Sequence, residues 1–347
     1  MFRTRKIVAT TLTAVITLGT LVPVASAASV KTASKSYRNG QEKKAYTYAK
    51  KMMKTNRDGL KAKAKIFSKS AYPTTGAAAG YSDFLLGLKK HGYKFTKAQK
   101  KLVKKNLVVS AKSDPATLAT AIIGLQAIGV NPTKYQPAGA KKNLNLVKTL
   151  YQQKMTKQTV NVQSQALIAV ASNKKFKKPS KAAFSKTSLS KTIAKNQQSN
   201  HGWAYNNTVA SVDSDTTAMA LTALAMGQSK TKAVQTAIKQ GQGYLKTAVY
   251  KSGTFGYTFN GQENPNANST AEAILALSST KTTFQYINRK AMKSGQTATP
   301  LRQMWHYVAA NGSIKGAYSM TLAYGQVSMA AAAYHRGYRS APVYSFN

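Results

Sequence analysis

The chain has 347 residues and no cysteine, and its 52 Lys and Arg outnumber 8 Asp and Glu, which gives a formal charge of +44. Without cysteine, disulfides, thiolate metal sites, iron–sulfur clusters and cysteine nucleophiles are excluded. Because 43% of the residues are hydrophobic, a disordered polycation is also excluded, and a globular fold of one large or two smaller domains is expected.

The first 27 residues have the pattern of an export signal. Residues 1–6 are basic, 7–24 are apolar, and Ala-Ser-Ala at 25–27 has the small–x–small form that precedes a cleavage site. A retained membrane anchor is the alternative, although the apolar stretch is thin for a span. We expect cleavage after Ala27, no transmembrane segment afterwards, a flexible leader over 28–40 and a single domain over 41–347.

One short apolar pattern, in which aliphatic residues are mixed with Ala or Gly, occurs six times, around Leu88, Leu125, Leu167, Leu221, Ile274 and Met329. These segments are apolar on nearly all sides, which is typical of buried helices. Between them lie longer amphipathic stretches with lysines on one side: 41–56, 97–109, 142–153, 185–197, 232–250 and a broken one at 284–310. Such pairs form an open solenoid or a closed ring. Six inner and six outer helices favour an all-α fold, an (α/α)6 toroid whose repeats are clearest over 80–335.

Two of the repeats carry a more specific motif. Residues 196–205, Asn-Gln-Gln-Ser-Asn-His-Gly-Trp-Ala-Tyr, resemble the Gln…Gly-Trp motif of prenyltransferase and squalene-cyclase repeats, and Asp-Ser-Asp-Thr-Thr-Ala follows from 213. The next repeat has Gly-Thr-Phe-Gly-Tyr at 253–257, and 114–135 is similar to the second repeat of bacterial secreted surface proteins that share the toroid of vitamin B12 carriers. The resemblance implies a central cavity that opens near the N-termini of the inner helices.

Asp213 and Asp215 are the candidate catalytic residues. In class II terpene cyclases, an Asp-x-Asp-Asp-Thr-Ala motif opens an inner helix and its middle Asp protonates the substrate, so the resemblance implies that Asp215 is the acid and Asp213 its neighbour. The sequence departs from that motif because Thr216 stands at the third acidic position. Two alternatives need no catalysis: Asp213 caps the helix while both carboxylates favour its N-terminus, or the pair contacts a ligand.

The same region supplies the candidate ligand-binding residues: Trp203, Tyr205, Asp213, Asp215, Tyr257, Asn268, Glu272 and Tyr318. Tyrosines at a wet opening can stack on a sugar or a cyclic ligand, whereas Trp203 has a packing role as its alternative. Glu272 lies one turn into a buried helix, so it either faces the cavity or has a partner. No metal or other cofactor is expected, because a zinc prenyltransferase site needs an Asp–Cys–His set and the four histidines lie on different repeats.

The basic residues suggest where the protein resides. Removing residues 1–27 removes three bases and no acid, which leaves 49 bases against 8 acids, a charge of +41. The lysines are spread along the outer helices without the Arg forks or interleaved aromatics of nucleic-acid readers, so no specific nucleic acid is expected. An anionic cell-envelope polymer, such as a wall phosphate polymer or an acidic polysaccharide, is the expected partner. Solubility alone is the alternative explanation of the charge.

The leading hypothesis from the sequence is a secreted, non-catalytic protein, extracellular or bound to the cell surface, that holds an anionic polymer on its shell and a small molecule or glycan in its cavity. One alternative is an enzyme with a cyclase-like or carbohydrate-active site that uses Asp215 and Asp213. The other alternative is a structural component of a surface layer.

Overall fold

A computed structural model of the chain describes residues 29–54, 78–137, 139–206, 208–259, 262–338 and 343–346. The expected export signal, 1–27, lies outside the described residues. The helices are α1 (Lys35–Met52), α2 (Ala78–Lys90), α3 (Lys97–Asn106), α4 (Pro115–Ala127), α5 (Leu146–Tyr151), α6 (Val160–Ala171), α7 (Lys186–Lys195), α8 (Ser214–Gly227), α9 (Lys232–Ala248), α10 (Ala267–Leu277), α11 (Lys281–Asn288), α12 (Pro300–His306) and α13 (Met320–Arg336).

The six apolar segments form the inner helices α2, α4, α6, α8, α10 and α13, and the Lys-rich stretches form the outer helices between them. Inner helices that follow one another in the chain pack together, and α13 packs against α2, so their contacts run in cyclic order. At that last contact a side chain on Gly325 would collide with the backbone of Asp83 in α2. A mostly helical fold with alternating buried and amphipathic helices is therefore confirmed.

Side-chain caps set the starts of the inner helices. Asp114 caps α4, Thr159 caps α6, Asp213 caps α8 and Asn266 caps α10; in each of them the side-chain oxygen accepts a hydrogen bond from a backbone N–H in the first turn. Because Asn266 is the cap of α10, Asn268 lies inside the first turn of that helix. This position lets its side chain face the neighbouring inner helix.

Two features differ from the expectation of a purely helical chain behind a flexible leader. Within the leader, Lys31 exchanges backbone hydrogen bonds of 2.9 Å with Thr297 and Thr299, Ala33 is buried, and α1 begins at Lys35. In the described residues, four strands form two antiparallel pairs: β1 (Trp203–Ala204) with β2 (Val212–Asp213), and β3 (Phe255–Phe259) with β4 (Gln262–Asn266). Each pair leads directly into an inner helix.

None of the helices in the described part of the chain is both long and apolar enough to cross a bilayer.

Candidate functional site

The two β pairs build the entrances of α8 and α10 in the same way. Trp203 lies opposite Asp213 in one pair and Phe255 lies opposite Asn266 in the other, so each aromatic residue faces the cap of the helix that follows. Each aromatic backbone N–H also donates to a threonine one turn into that helix, at 2.9 Å in the first pair and 3.1 Å in the second. The repeated geometry fixes where the polar residues of the first turn point.

Asp213 is the N-cap of α8. One carboxylate oxygen accepts the Thr216 backbone N–H at 2.6 Å, and the other accepts the Thr216 hydroxyl at 2.8 Å. Asp114 and Thr117 make the same pair of hydrogen bonds at the start of α4, at 2.9 and 2.7 Å. Thr216, which replaces the third acid of the cyclase motif, thus completes a structural cap.

Asp215 takes no part in that cap. It is largely buried, and its Oδ1 is fully buried with no hydrogen-bond partner among the described residues. Burial raises the pKa of Asp215 to about 6; the Ser269 hydroxyl acts in the opposite direction, and the charge of Asp213 adds to the rise. A carboxyl group with this pKa can hold and release a proton near neutral pH.

Further polar groups from three inner helices face the same interior. In α10, Glu272 is 6% exposed, and in α2 burial raises the pKa of Asp83 to about 7. Burial also raises the pKa of Glu272 well above its usual range, and the charges of Asp83 and Asp215 add to that effect. The Asn268 amide donates to Gln326 of α13, whose side chain also hydrogen-bonds Glu272. Like charges in a shared low-dielectric site favour the protonated carboxyl, so the acids of this cluster raise one another's pKa.

The other predicted site residues lie apart from the cluster. Trp203 is fully buried, and its indole N–H donates to the Ile193 carbonyl at 2.7 Å. It therefore has the packing role that the sequence analysis gave as the alternative to ligand contact. Tyr205, Tyr257 and Tyr318 are exposed by 58%, 55% and 105% at the N-terminal ends of inner helices. The structure thus brings Asp215, Asn268 and Glu272 together, with the tyrosines on the surface outside them.

Three residues of the cluster were not predicted as site residues. Asp83 could have been found, because it is an acid inside an otherwise apolar helix, which is the signal that singled out Glu272. Gln326 and Tyr344 carry no such signal. Burial raises the pKa of Tyr344 well above its usual range, and the charges of Asp83 and Glu272 act in the same direction. The segment 343–346 therefore reaches the interior from the far end of the helices.

Within the described ranges, no set of three His, Asp or Glu side chains is arranged to hold a metal ion. Two of the histidines instead pair with Glu42 of α1. His91 Nδ1 and His335 Nε2 lie 3.2 and 3.0 Å from the two carboxylate oxygens of Glu42, which ties α1 to the ends of α2 and α13. Their hydrogen bonds lower the pKa of Glu42 to about 2 against the opposing effect of burial.

Comparison with known proteins identifies the fold. No protein-family model and no curated protein matches the sequence. Among solved structures, the chain is similar to the type II terpene cyclase MstE from Scytonema. An Arg-to-Ala variant of MstE in complex with geranylgeranyl dihydroxybenzoate matches with a TM-score of 0.50 and 14% identity, over 86% of this chain and 98% of that one.

Two ligand-free MstE structures match less well. A Tyr-to-Phe variant and the unsubstituted enzyme each have a TM-score of 0.48, with identities of 13% and 12%, over 86% of this chain and 98% and 99% of theirs. The match to the MstE complex, with its TM-score of 0.50, confirms the expected resemblance to cyclase-type helical repeats at the level of the fold. No family or curated match supports the expected link to vitamin B12 carriers or secreted surface proteins.

Proposed function

We propose that this protein is an acid catalyst of the cyclase type, which protonates an apolar, alkene-containing substrate inside an (α/α)6 toroid. The single observation that carries the proposal is the buried, unpartnered Oδ1 of Asp215, next to an Asp213 that already supplies the helix cap. The cyclic contacts of the six inner helices support the toroid, with α11 and α12 together in the sixth outer position.

A merely structural role for Asp215 is energetically unfavourable. A buried carboxyl without a partner lowers stability, and nothing in the start of α8 requires it, because Asp213 and Thr216 satisfy the cap. Such an unfavourable group persists where it serves a reaction. With a pKa of about 6, Asp215 is partly protonated near neutral pH, whereas burial and the charges of Asp83 and Asp215 raise the pKa of Glu272 well above its usual range.

The proposed step balances without a cofactor. Asp215 gives its carboxyl proton to one carbon of a C=C bond, and the cation formed on the other carbon is attacked by a second alkene of the same molecule, which closes a ring. Loss of a proton to solvent from a neighbouring carbon restores a C=C bond, so the net reaction is an isomerisation. The Asp215 carboxylate left by the proton transfer stabilises the passing cation, and it then regains a proton from the surrounding acids or from solvent.

The test uses the purified protein with geranylgeranyl dihydroxybenzoate, the molecule bound in the MstE complex, and with squalene. We expect a product of unchanged mass with additional rings, detected by chromatography and NMR. Asp215→Asn should abolish it, whereas Asp114→Asn, which alters the corresponding cap of α4, should retain it. The absence of any cyclised product from either substrate, or equal product from Asp215→Asn, would overturn the proposal.

A second proposal concerns the outer surface. Four of the five lysines of α3, at 97, 101, 104 and 105, are exposed, as the sequence pattern predicted for an outer helix. This exposure supports the proposal that the shell binds an anionic envelope polymer in an exported protein. Export itself stays a prediction from residues 1–27. The two proposals are compatible, because one concerns the shell and the other the interior.

A further inference from the structure

The large apolar side chains that face solvent are confined to one kind of connection. Among the described residues, the exposed members of this class are Val108, Tyr205, Val209, Tyr257 and Tyr318. Each of them lies in a connection that leads from an outer helix to the next inner helix, within 107–114, 196–213, 249–266 or 307–319. The described parts of the connections from inner to outer helices contain no exposed side chain of this kind.

These connections meet at one end of the helix array. One or two outer helices return the chain between consecutive inner helices, so the inner helices run in the same direction. The Ser214 hydroxyl at the start of α8 donates to the Gly256 carbonyl at 2.9 Å, which joins the two β pairs. The Asn268 amide in the first turn of α10 donates to Gln326 in the second turn of α13, so these helices start at a similar level. We call this end the N-terminal rim; it comprises 107–114, 152–159, 196–213, 249–266 and 307–319.

The exposed aromatic rings of the N-terminal rim contribute little to the packing of the fold. Tyr318 is as accessible as in an extended chain, and more than half of Tyr205 and of Tyr257 is exposed. A single exposed apolar residue is common on a protein surface. Several that gather at one end of a molecule mark a surface that contacts something else.

The charges of the N-terminal rim favour a lipid surface as that contact. Its described residues include one exposed acid, Glu263, and exposed lysines at 112, 154, 157, 251 and 315. Lysine is depleted at interfaces between proteins, and the excess of positive charge opposes contact with a second copy. Tyrosine beside lysine is instead typical of segments that lie at the headgroups of an anionic bilayer. The two valines have no flat face to stack on a sugar ring, but they can enter lipid.

We propose that the N-terminal rim docks on the surface of an anionic lipid bilayer. The side chains of Tyr205, Tyr257 and Tyr318 enter the boundary between headgroups and acyl chains, and the lysines pair with lipid phosphates. Docking does not depend on the acid chemistry proposed for Asp215, so Asp215→Asn should bind lipid as the parent does. If both proposals hold, the acid lies at the end that faces the lipid, in which an apolar substrate dissolves.

The tests use the chain from residue 28 onward. The described fold begins at residue 29, and the apolar stretch 7–24 would bind lipid by itself. The vesicles contain phosphatidylglycerol and phosphatidylcholine with brominated acyl chains, which quench a tryptophan only when its ring reaches the chains.

Two single variants report which end touches the lipid. Tyr318→Trp adds a fluorescent ring to the N-terminal rim, and Lys177→Trp adds one to the connection between α6 and α7 at the opposite end; both positions are exposed. Trp203 and Trp305 are buried and provide a constant background. We expect the vesicles to quench the added emission of Tyr318→Trp and to leave that of Lys177→Trp unchanged.

A third variant tests whether the tyrosines supply affinity, measured by sedimentation with the same vesicles. Replacing Tyr205, Tyr257 and Tyr318 together with Ser should weaken binding about tenfold or more, because withdrawal of about 60 Å² of apolar surface from water corresponds to that factor. The matched control is Tyr286→Ser on the outer helix α11, which should bind as the parent does. The circular dichroism of each variant must match that of the parent.

The proposal is wrong if the parent does not sediment with the vesicles, if both added tryptophans are quenched alike, or if neither is quenched. It is also wrong if the triple variant binds as tightly as the parent, or if the triple substitution abolishes self-association of the parent, which would assign the rim to a second copy. If the triple variant fails to fold, the comparison of the two tryptophan variants decides alone.

Discussion

Two carboxylates separated by one residue do different work at the start of α8. Asp213 has extended backbone angles (φ −134°, ψ 164°), which turn its side chain back onto the first-turn N–H groups. Asp215 is already helical, so its side chain faces the interior. The sequence indicated both residues, with Asp213 as the cap and, through the resemblance, Asp215 as the acid; the structure adds that Asp213 is the last residue with extended geometry before α8.

A substitution that removes the Asp213 side chain tests its role as the cap of α8. Asp213→Ala should lower the free energy of unfolding by about 1 kcal/mol, because the first turn of α8 loses a side-chain acceptor. Asp114→Ala should cost a similar amount, since its hydrogen bonds at the start of α4 are equivalent. Urea denaturation at pH 7 measures both. A loss from Asp114→Ala with none from Asp213→Ala would contradict the capping assignment.

Asp215→Asn should have the opposite effect on stability, and that effect should depend on pH. The pKa of Asp215 is about 6 in the folded protein against an ordinary value of 3.8, so the folded state binds more protons and stability falls as pH rises from about 4 to about 6. The free energy of unfolding that is lost over this range is not regained above pH 6, and it amounts to at most about 3 kcal/mol. Asp215→Asn should therefore be more stable than the parent at pH 8 and not at pH 3.5, by urea denaturation at each pH. A lower stability of the variant at pH 8 would count against a buried, unpartnered carboxylate.

At the scale of elements, periodicity predicted the helices far better than the strands. The inner helices are apolar on all sides and the outer ones are amphipathic, so both types could be recognised from local composition. The strands are two to five residues long, and their pairing depends on close approach of loops: a side chain on Gly256 would collide with the backbone of Asn264. Such contacts between partners leave no periodic signal.

Two glycines in α9 give a matched test of how outer and inner layers pack. A methyl group on Gly241 would lie 2.5 Å from the Trp203 ring, whereas Gly243 has open space around the same position. Gly241→Ala should therefore lower the unfolding free energy by about 1–3 kcal/mol through overpacking. Gly243→Ala should raise it by up to about 1 kcal/mol through helix propensity. Thermal and urea unfolding report both, and equal effects from the two substitutions would refute the close approach.

At the scale of the whole molecule, charge is divided between the surface and the interior. Three of the eight acids, Asp83, Asp215 and Glu272, belong to the interior cluster, while four of the five lysines of the outer helix α3 are exposed. The repeat pattern predicted that the basic residues would lie on the outer helices. It could not predict that the acids would converge, because convergence requires the cyclic order of helices, and the contact that closes it depends on glycines in α2 and α13.

The outer charge should determine binding to envelope polymers in a salt-dependent way. At about 0.01 M salt the screening length is about 30 Å, so many lysines act together on an anionic polymer; at about 1 M it is about 3 Å and the attraction is lost. We expect the protein without residues 1–27 to sediment with isolated cell walls rich in phosphate polymer at low salt and to be released at 1 M. Replacing the four exposed lysines of α3 with Gln should shift release to lower salt. Asp215→Asn, which changes only the interior, should behave as the parent does. Binding that persists unchanged in 1 M salt would show that a specific contact, and not the summed charge, holds the protein to the wall.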